Sequence, residues 1–262
     1  MIDASTLALT QPSIAQHLPA FWRLARLNTG LPLLWPITYQ QAIVIRHQLA
    51  HQEAAYQLVE NCLLSLWQHG AAQLEFTVYQ HSLRPAFPYF QQLSSSSIRC
   101  IYHKKQFKDY LEDLHTLLVQ RQQGINSAQV LSDNQRLAIP SATDKIQIVV
   151  ISQLWPDVEL LTRLLDICQY GLALGVVPIL LLSEHYFPKH PVDEWQTQLL
   201  ALIEQITTPA LVMNVHAHQR LTIEAPQLQP LAALYDFFQP VIEYYDAAVY
   251  QHVLDSSAVY VD

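Results

Sequence analysis

Between Lys145 and Ser183 the chain reads KIQIVVISQLWPDVELLTRLLDICQYGLALGVVPILLLS. Ile146 to Ile151 is an apolar, β-branched run too short for a helix, the pattern of a strand buried on both faces. Asp157 and Glu159 follow Pro156 and put acidic groups where a helix dipole favours them. Leu160, Leu161, Leu164, Leu165 and Cys168 then recur at helical spacing, which predicts a helix with one buried face. Gly171 and Gly175 end it, and Val176 to Leu182 is a second apolar run. Strand, helix and strand within about 40 residues predict a right-handed βαβ unit with two parallel strands.

The same patterning extends in both directions. Residues 1 to 10 are polar or small. Ser13 to Leu27 predicts an amphipathic helix, with Ile14, Leu18, Phe21, Leu24 and Leu27 on one side and Arg23 and Arg26 on the other. Asn28, Thr29 and Gly30 stop it, and LPLLWP, with Trp35 beside a proline, predicts an extended apolar strap. Gln41 to Arg46 reads as a short buried strand, followed by a helix from Leu49 to Gln68 whose stripe is Ala55, Leu58, Val59, Cys62, Leu63 and Leu66. Leu74 to Tyr79 and Arg99 to Tyr102 are further strands, Lys104 to Gln122 a helix, and Gly124 to Thr143 a loop. Beyond the central unit come a His- and Pro-rich loop from Glu184 to Pro191, a helix from Val192 to Ile206 and a strand from Ala210 to Val215. Arg220 to Glu224 reads as an edge strand, and Leu231 to Val253 as one or two helices broken near Pro240. The final SSAVYVD has the character of a strand able to add to another protein's sheet edge.

Alternating strands and helices predict an α/β fold, a three-layer sandwich with a largely parallel sheet of about five to six strands. Residues 1–40 form an N-terminal helix and strap in this reading, and residues 41–262 a single α/β domain with a C-terminal helical extension. Hydrophobic residues make up 51% of the chain and charged residues only 14%, which predicts a surface with a protein partner. The net charge of −8 argues against holding nucleic acid unaided, because phosphate neutralisation needs clustered Lys and Arg. Lys104, Lys105 and Lys108 are the one basic cluster, read as the solvated start of a helix. Cys62, Cys100 and Cys168 are widely spaced in apolar segments and predict buried thiols in a reducing compartment. The start of the chain lacks a basic, apolar, small-residue leader pattern. Tyr170 to Ser183, the longest apolar stretch, falls short of the roughly 20 residues that span a bilayer. The expectation is a soluble, cytoplasmic protein.

The order of elements resembles a known family. A strand, a long helix, LEFTVYQ, a polar stretch, IRCIYH, a helix ending in Arg121, then IVVIS and GLALGVVPILLLS is similar to the motor domain of FtsK/SpoIIIE-type translocases, a RecA-like P-loop family. The resemblance runs from about Leu31 to Ser183, and Gly175-Val176 before VPILLLS matches the glycine that precedes the family's sensor strand. It implies a RecA-type sheet and a place among ATPases or DNA-handling proteins. A P-loop, however, needs GxxxxGK[ST], so that backbone N–H groups wrap the phosphates and a lysine reaches them. After Gln41 to Arg46 this chain has HQLAHQEAAY, with no glycine between Gly30 and Gly70 and no lysine before Lys104. The fourth strand, which should end in an Asp that serves magnesium, ends Ile151-Ser152-Gln153. No nucleotide-binding residue of the family carries over, so the resemblance implies a degenerate, non-hydrolysing member.

Other chemistry is sparse. His47 and His51 have the spacing of two ligands on one helix face, but no third ligand is near. His216 and His218 follow a strand, where α/β proteins collect ligands, and would point apart if the strand continued. His185 and His190 flank YFPK in a loop, and His81, like His216, stands at a strand end. Asp157 and Glu159 read as dipole and capping residues. There is no GxSxG elbow around Ser152, no GxGxxG fingerprint, and five glycines in all. Tyr235, Phe237, Phe238, Tyr244, Tyr245, Tyr250 and Tyr260 form an aromatic density of the kind interfaces carry. The sequence therefore predicts a pseudo-ATPase-like structural or regulatory subunit of a multiprotein assembly, without cofactor, metal or catalytic residues, whose partner contacts include Tyr244, Tyr245, Tyr250 and Tyr260. The competing expectation is a small-molecule hydrolase or metal enzyme using His81, His216 or His47. A third is nucleic-acid binding through Lys104, Lys105, Lys108, Arg121 and the 123–143 segment.

Overall fold

The apolar runs become strands in a computed structural model that describes residues 21–27, 29–36, 42–70, 74–93, 95–129, 145–171, 174–224 and 240–243. In chain order they are β1 (Phe21–Arg26), β2 (Pro32–Pro36), β3 (Ile43–His47), β4 (Leu74–Tyr79), β5 (Ile98–Ile101), β6 (Ile146–Ile151), β7 (Val176–Ser183), β8 (Leu211–Val215) and β9 (Leu221–Glu224). The helices are α1 (Gln52–Gly70), α2 (Lys104–Gln129), α3 (Val158–Tyr170) and α4 (Glu194–Thr207).

Seven strands form one sheet in the order β5-β4-β6-β7-β3-β8-β9. Six of them run parallel, and β9 pairs antiparallel with β8 at the edge. β6 and β7 are parallel neighbours joined through α3, as the sequence pattern requires. Because strands alternate their side chains, each one serves two cores. Ile45, Val78, Ile148 and Leu181 pack on the side of α1, together with Ala25 and Leu33 of a β1–β2 ribbon. Val44, Tyr79, Val149 and Leu180 pack on the side of α2, α3 and α4. Every residue of β7 is buried, which is why its sequence shows no alternation. The result is the expected three-layer α/β sandwich.

Three local expectations change. Phe21 to Arg26 is a strand paired antiparallel with β2, Trp22 opposite Trp35, rather than the end of a helix. The prolines hold LPLLWP extended, and pairing with it satisfies the FWRLAR backbone while Ala25 enters the core, so tertiary pairing overrides the helical period. Residues 13–20 lie outside the described residues. α2 continues to Gln129, taking in the first six positions of the expected 124–143 loop, and Gly124 sits there with nothing within 4 Å of a notional Cβ. Positions 130–143 of that loop, the 231–239 and 244–253 stretches and the SSAVYVD tail also lie outside the described residues. Leu49–His51 is a 3-10 turn, so α1 begins only at Gln52.

A short strap closes the α1 side. Val241 bridges both Arg26 and Arg220, and its N–H donates to the Arg26 carbonyl at 2.7 Å. Leu221 N–H donates to Pro240 O at 2.8 Å, and Asn61 Nδ2 of α1 donates to Glu243 O at 3.0 Å.

Candidate functional site

In an open parallel sheet every strand points its carboxyl end to the same edge, and ligands gather there where the strand order reverses. Here that point is β3, set between β7 and β8 although it precedes both in the chain. His47 closes β3 and lies beside Ser183 of β7 in register. Gln80 and Ser152 directly follow Tyr79 and Ile151, themselves register partners in β4 and β6. Alternation places these four residues on the α1 side, in step with Ile45, Leu181, Val78 and Val150. All four are buried polar residues, between 1% and 3% exposed.

Their hydrogen bonding is incomplete. Gln80 Oε1 accepts from Ala86 N at 2.9 Å and from Gln91 Nε2 at 3.2 Å, but Gln80 Nε2 has no partner. Ser183 Oγ, His51 Nδ1, Gln153 Nε2 and Trp155 Nε1 are also buried without one. His47 Nδ1 lies 3.1 Å from Gln48 O, which assigns the proton to that nitrogen in the neutral ring. Burial holds His47 below the ordinary histidine range, with the Gln48 carbonyl acting in the opposite direction.

A cleft of about 1030 Å³ opens beside this row, between the first half of α1 and the loops that follow β4 and β6. Its far wall is the 80–93 loop, folded by Phe87 and Phe90, both fully buried against the α1-side core. Phe90 meets Phe76 edge-on at 5.0 Å, and Tyr56 of α1 meets Phe87 at 5.8 Å. Glu60 of α1 fastens the loop backbone: its Oε1 accepts from Tyr89 N at 2.7 Å and Phe90 N at 3.0 Å. Burial is the larger influence on this carboxyl and pushes it up to about 7, against the two N–H donors. His81, which also lines the cleft, packs edge-on to Trp155 at 5.5 Å, and Trp155 lies 4.8 Å from Tyr186.

The residues singled out from sequence fare differently. His47 and His51 do not share a helix face, because one ends a strand and the other a 3-10 turn. His216 is exposed and pairs with Thr222 Oγ1 at 2.8 Å, while His218 sits in a turn at φ 57°. No three His, Cys, Asp or Glu side chains come together to hold a metal among the described residues. Asp157 caps α3, accepting from Leu160 N at 3.1 Å, and is held below the usual carboxylate range by Lys104, despite its partial burial. Lys104 and Lys105 are exposed in the first turn of α2, as expected of a solvated helix start, and Lys104 also pairs with Asp157 and Lys108 with Glu159, which ties α2 to α3. Arg121 is spent on main-chain carbonyls, those of Leu174 at 2.7 Å and Lys145 at 3.0 Å. Cys62 and Cys168 are fully buried thiols pushed up to about 12 by burial, and Cys100 is half-buried. Tyr244, Tyr245, Tyr250 and Tyr260 lie outside the described residues. Glu60 and Gln80 escaped the sequence reading. The available signals were the polar pair Glu60-Asn61 inside the apolar run LVENCLLSLW, and a glutamine directly after a fully apolar strand.

No family model matches the chain, and no curated protein does. Solved structures do match. EssC from Geobacillus thermodenitrificans, described as ATPases 2 and 3, superposes with a TM-score of 0.59 at 11% identity, covering 92% of this chain and 48% of that one. The cytoplasmic domain of EssC matches at a TM-score of 0.56 and 12% identity over 91% of this chain and 48% of its own. The cytoplasmic domain of the type VII secretion ATPase EccC from Thermomonospora curvata matches at 0.54 and 10% identity, over 92% and 28%. The chain thus spans about half the length of the EssC chains it matches. At these identities the likeness is one of fold, and that fold is the largely parallel three-layer α/β sandwich expected from the order of elements. No described helix is long and apolar enough to cross a membrane.

Proposed function

We propose that this chain is a non-hydrolysing P-loop-type unit that serves as a structural or regulatory component of a larger, cytoplasmic protein assembly. The observation that carries the reading is the connection from β3 to α1. By topology this is where a phosphate loop belongs, at the switch point and ahead of the first helix. It consists of His47, Gln48 and the 3-10 turn Leu49–His51, with neither the glycines that let N–H groups wrap a phosphate nor a lysine. The strand beside β7, β6, ends Ile151-Ser152-Gln153 and offers no acid to a magnesium shell. Glu60, the buried carboxylate of the cleft, uses one oxygen to hold the Tyr89 and Phe90 N–H groups of the 80–93 loop.

Membership of an assembly draws support from the 51% hydrophobic and 14% charged composition, and from a fold shared with domains of secretion ATPases. In this reading residues 41–262 act as one domain, and Tyr244, Tyr245, Tyr250 and Tyr260 contribute to partner contacts. Direct nucleic-acid binding has little support, since Lys104, Lys108 and Arg121 are engaged internally.

The test is a magnesium-ATP turnover assay on the purified 262-residue chain, followed across gel-filtration fractions, with pull-down from the native host. The expected result is no turnover following the protein peak, and a stoichiometric protein partner. Turnover that tracks the peak and disappears in Ser152→Ala or Glu60→Gln protein would overturn the proposal.

A further inference from the structure

The cleft beside α1 carries the wrong charge for a nucleotide and the right chemistry for something else. Glu53, Tyr56, Gln57 and Glu60 all line it, as residues spaced by three, four and seven positions on one helix face do. Glu60 is 5% exposed, one oxygen takes both backbone N–H bonds, and no cation pairs with it among the described residues. A buried carboxylate without a counter-charge is costly, so folds keep one where something supplies the charge. Opposite, Gln80 is 2% exposed with its Nε2 donor unpartnered, and half-buried Gln153 at the same edge also has an Nε2 atom that is buried without a partner. Tyr56 and Tyr89 add ring surface to the wall, which suits a delocalised cation. A phosphate would meet two carboxylates here, with exposed Arg84 as the cation at the rim.

We infer that this cleft binds an amide-bearing organic cation, its guanidinium or ammonium group against Glu60 and Glu53 and its amide carbonyl on Gln80 and Gln153. The cleft volume of about 1030 Å³ accommodates a ligand the size of an amino-acid amide or a short peptide. This goes beyond the proposed function, which concerns only the lack of nucleotide turnover. The near-neutral Glu60 fits a site completed by an incoming positive charge.

The test uses the full chain and two probes, N-acetyl-L-argininamide and its neutral isostere N-acetyl-L-citrullinamide, titrated by calorimetry at pH 8, where Glu60 is ionised. The arginine probe is expected to bind about tenfold tighter than the citrulline probe, the equivalent of one buried charge contact. Glu60→Gln keeps a carbonyl oxygen for the Tyr89 and Phe90 N–H groups and is expected to erase that preference without lowering the urea midpoint below the parent value. Glu53→Gln, at an exposed position, should lower it by a smaller factor. Equal affinity for the two probes, no binding of either, or a preference unchanged in Glu60→Gln protein would overturn the inference. If acetyl-Gly-Arg-Gly-amide binds more tightly than the single-residue probe, the cation belongs to a protein segment. Equal affinity assigns it to a free small molecule. ATP turnover would defeat the proposed function and leave this preference untouched, so the two fail separately.

Discussion

The two ends of the parallel sheet have been finished differently. At the amino end, Arg121 reaches from α2 and donates to the carbonyls of Leu174, Gly175 and Lys145, closing the approaches to β6 and β7 at once. Gly175 turns there at φ 78°, and its carbonyl also accepts from Gln147 N at 2.9 Å. At the carboxyl end, Gln80, Ser183, His51, Gln153 and Trp155 each keep a buried polar atom without a partner. Native interiors satisfy nearly all such groups. A fold that gathers five such residues at one edge has kept hydrogen-bonding capacity that its own stability does not use, and local rules fail in this way chiefly at functional sites.

Substitutions at the two ends should therefore have opposite signs. The largest effect expected is for Arg121→Met, which keeps the stem but strands the Leu174 and Lys145 carbonyls; a loss of about 3 kcal/mol in urea unfolding is expected. A loss under about 0.5 kcal/mol would mean that the amino end is not held in this way. Glu60 comes next, through pH. Its folded carboxyl sits near 7, above the 4.5 of an ordinary glutamate, so the native state binds the proton more tightly than the unfolded chain. That contribution is complete below the ordinary carboxylate range and is lost as pH rises from 4.5 through 7, at a slope approaching about 1.4 kcal/mol per pH unit. Glu60→Gln should flatten this part of a stability–pH curve, and a parent curve already flat there would contradict the assignment.

Asp157→Ala removes the cap of α3 and the partner of Lys104, and should cost about 1 kcal/mol by thermal or urea unfolding. Smallest of all is Ser183→Ala at the open end. Removing an unpartnered buried hydroxyl is expected to be neutral or to raise stability by up to about 1 kcal/mol. A clear loss would show that Ser183 is bonded in solution and would weaken the contrast between the two ends.

Most of the sheet was legible in the sequence because buried parallel strands carry their own signature: IVVI in β6 and VVPILLL in β7 are apolar on both faces. The edge strand at Leu221–Glu224 could be read too, since apolar Leu221 and Ile223, both buried, alternate with half-buried Thr222 and exposed Glu224. Phe21–Arg26 could not, because its pairing with β2 is decided by the prolines of another segment. The lack of a GxxxxGK[ST] motif was equally legible, since an absent glycine needs no coordinates. The cleft was not, because it is assembled from residues 20 to 100 positions apart, whose common feature is a place on one sheet edge. Gln80 and Ser152 are adjacent only through the register of β4 and β6. Glu60 looked like one polar residue on an apolar helix until the 80–93 loop folded over it.

The strap at Pro240–Glu243 has a mechanical consequence. It joins β1 through the Arg26–Val241 pair and the Arg26–Glu243 bridge, the β8–β9 turn through Gln219 and Leu221, and α1 through Asn61. β1, the β8–β9 turn and α1 are thus pinned to one four-residue segment, like a buckle joining three belts. A force that lifted any one of them would load these few short bonds in parallel.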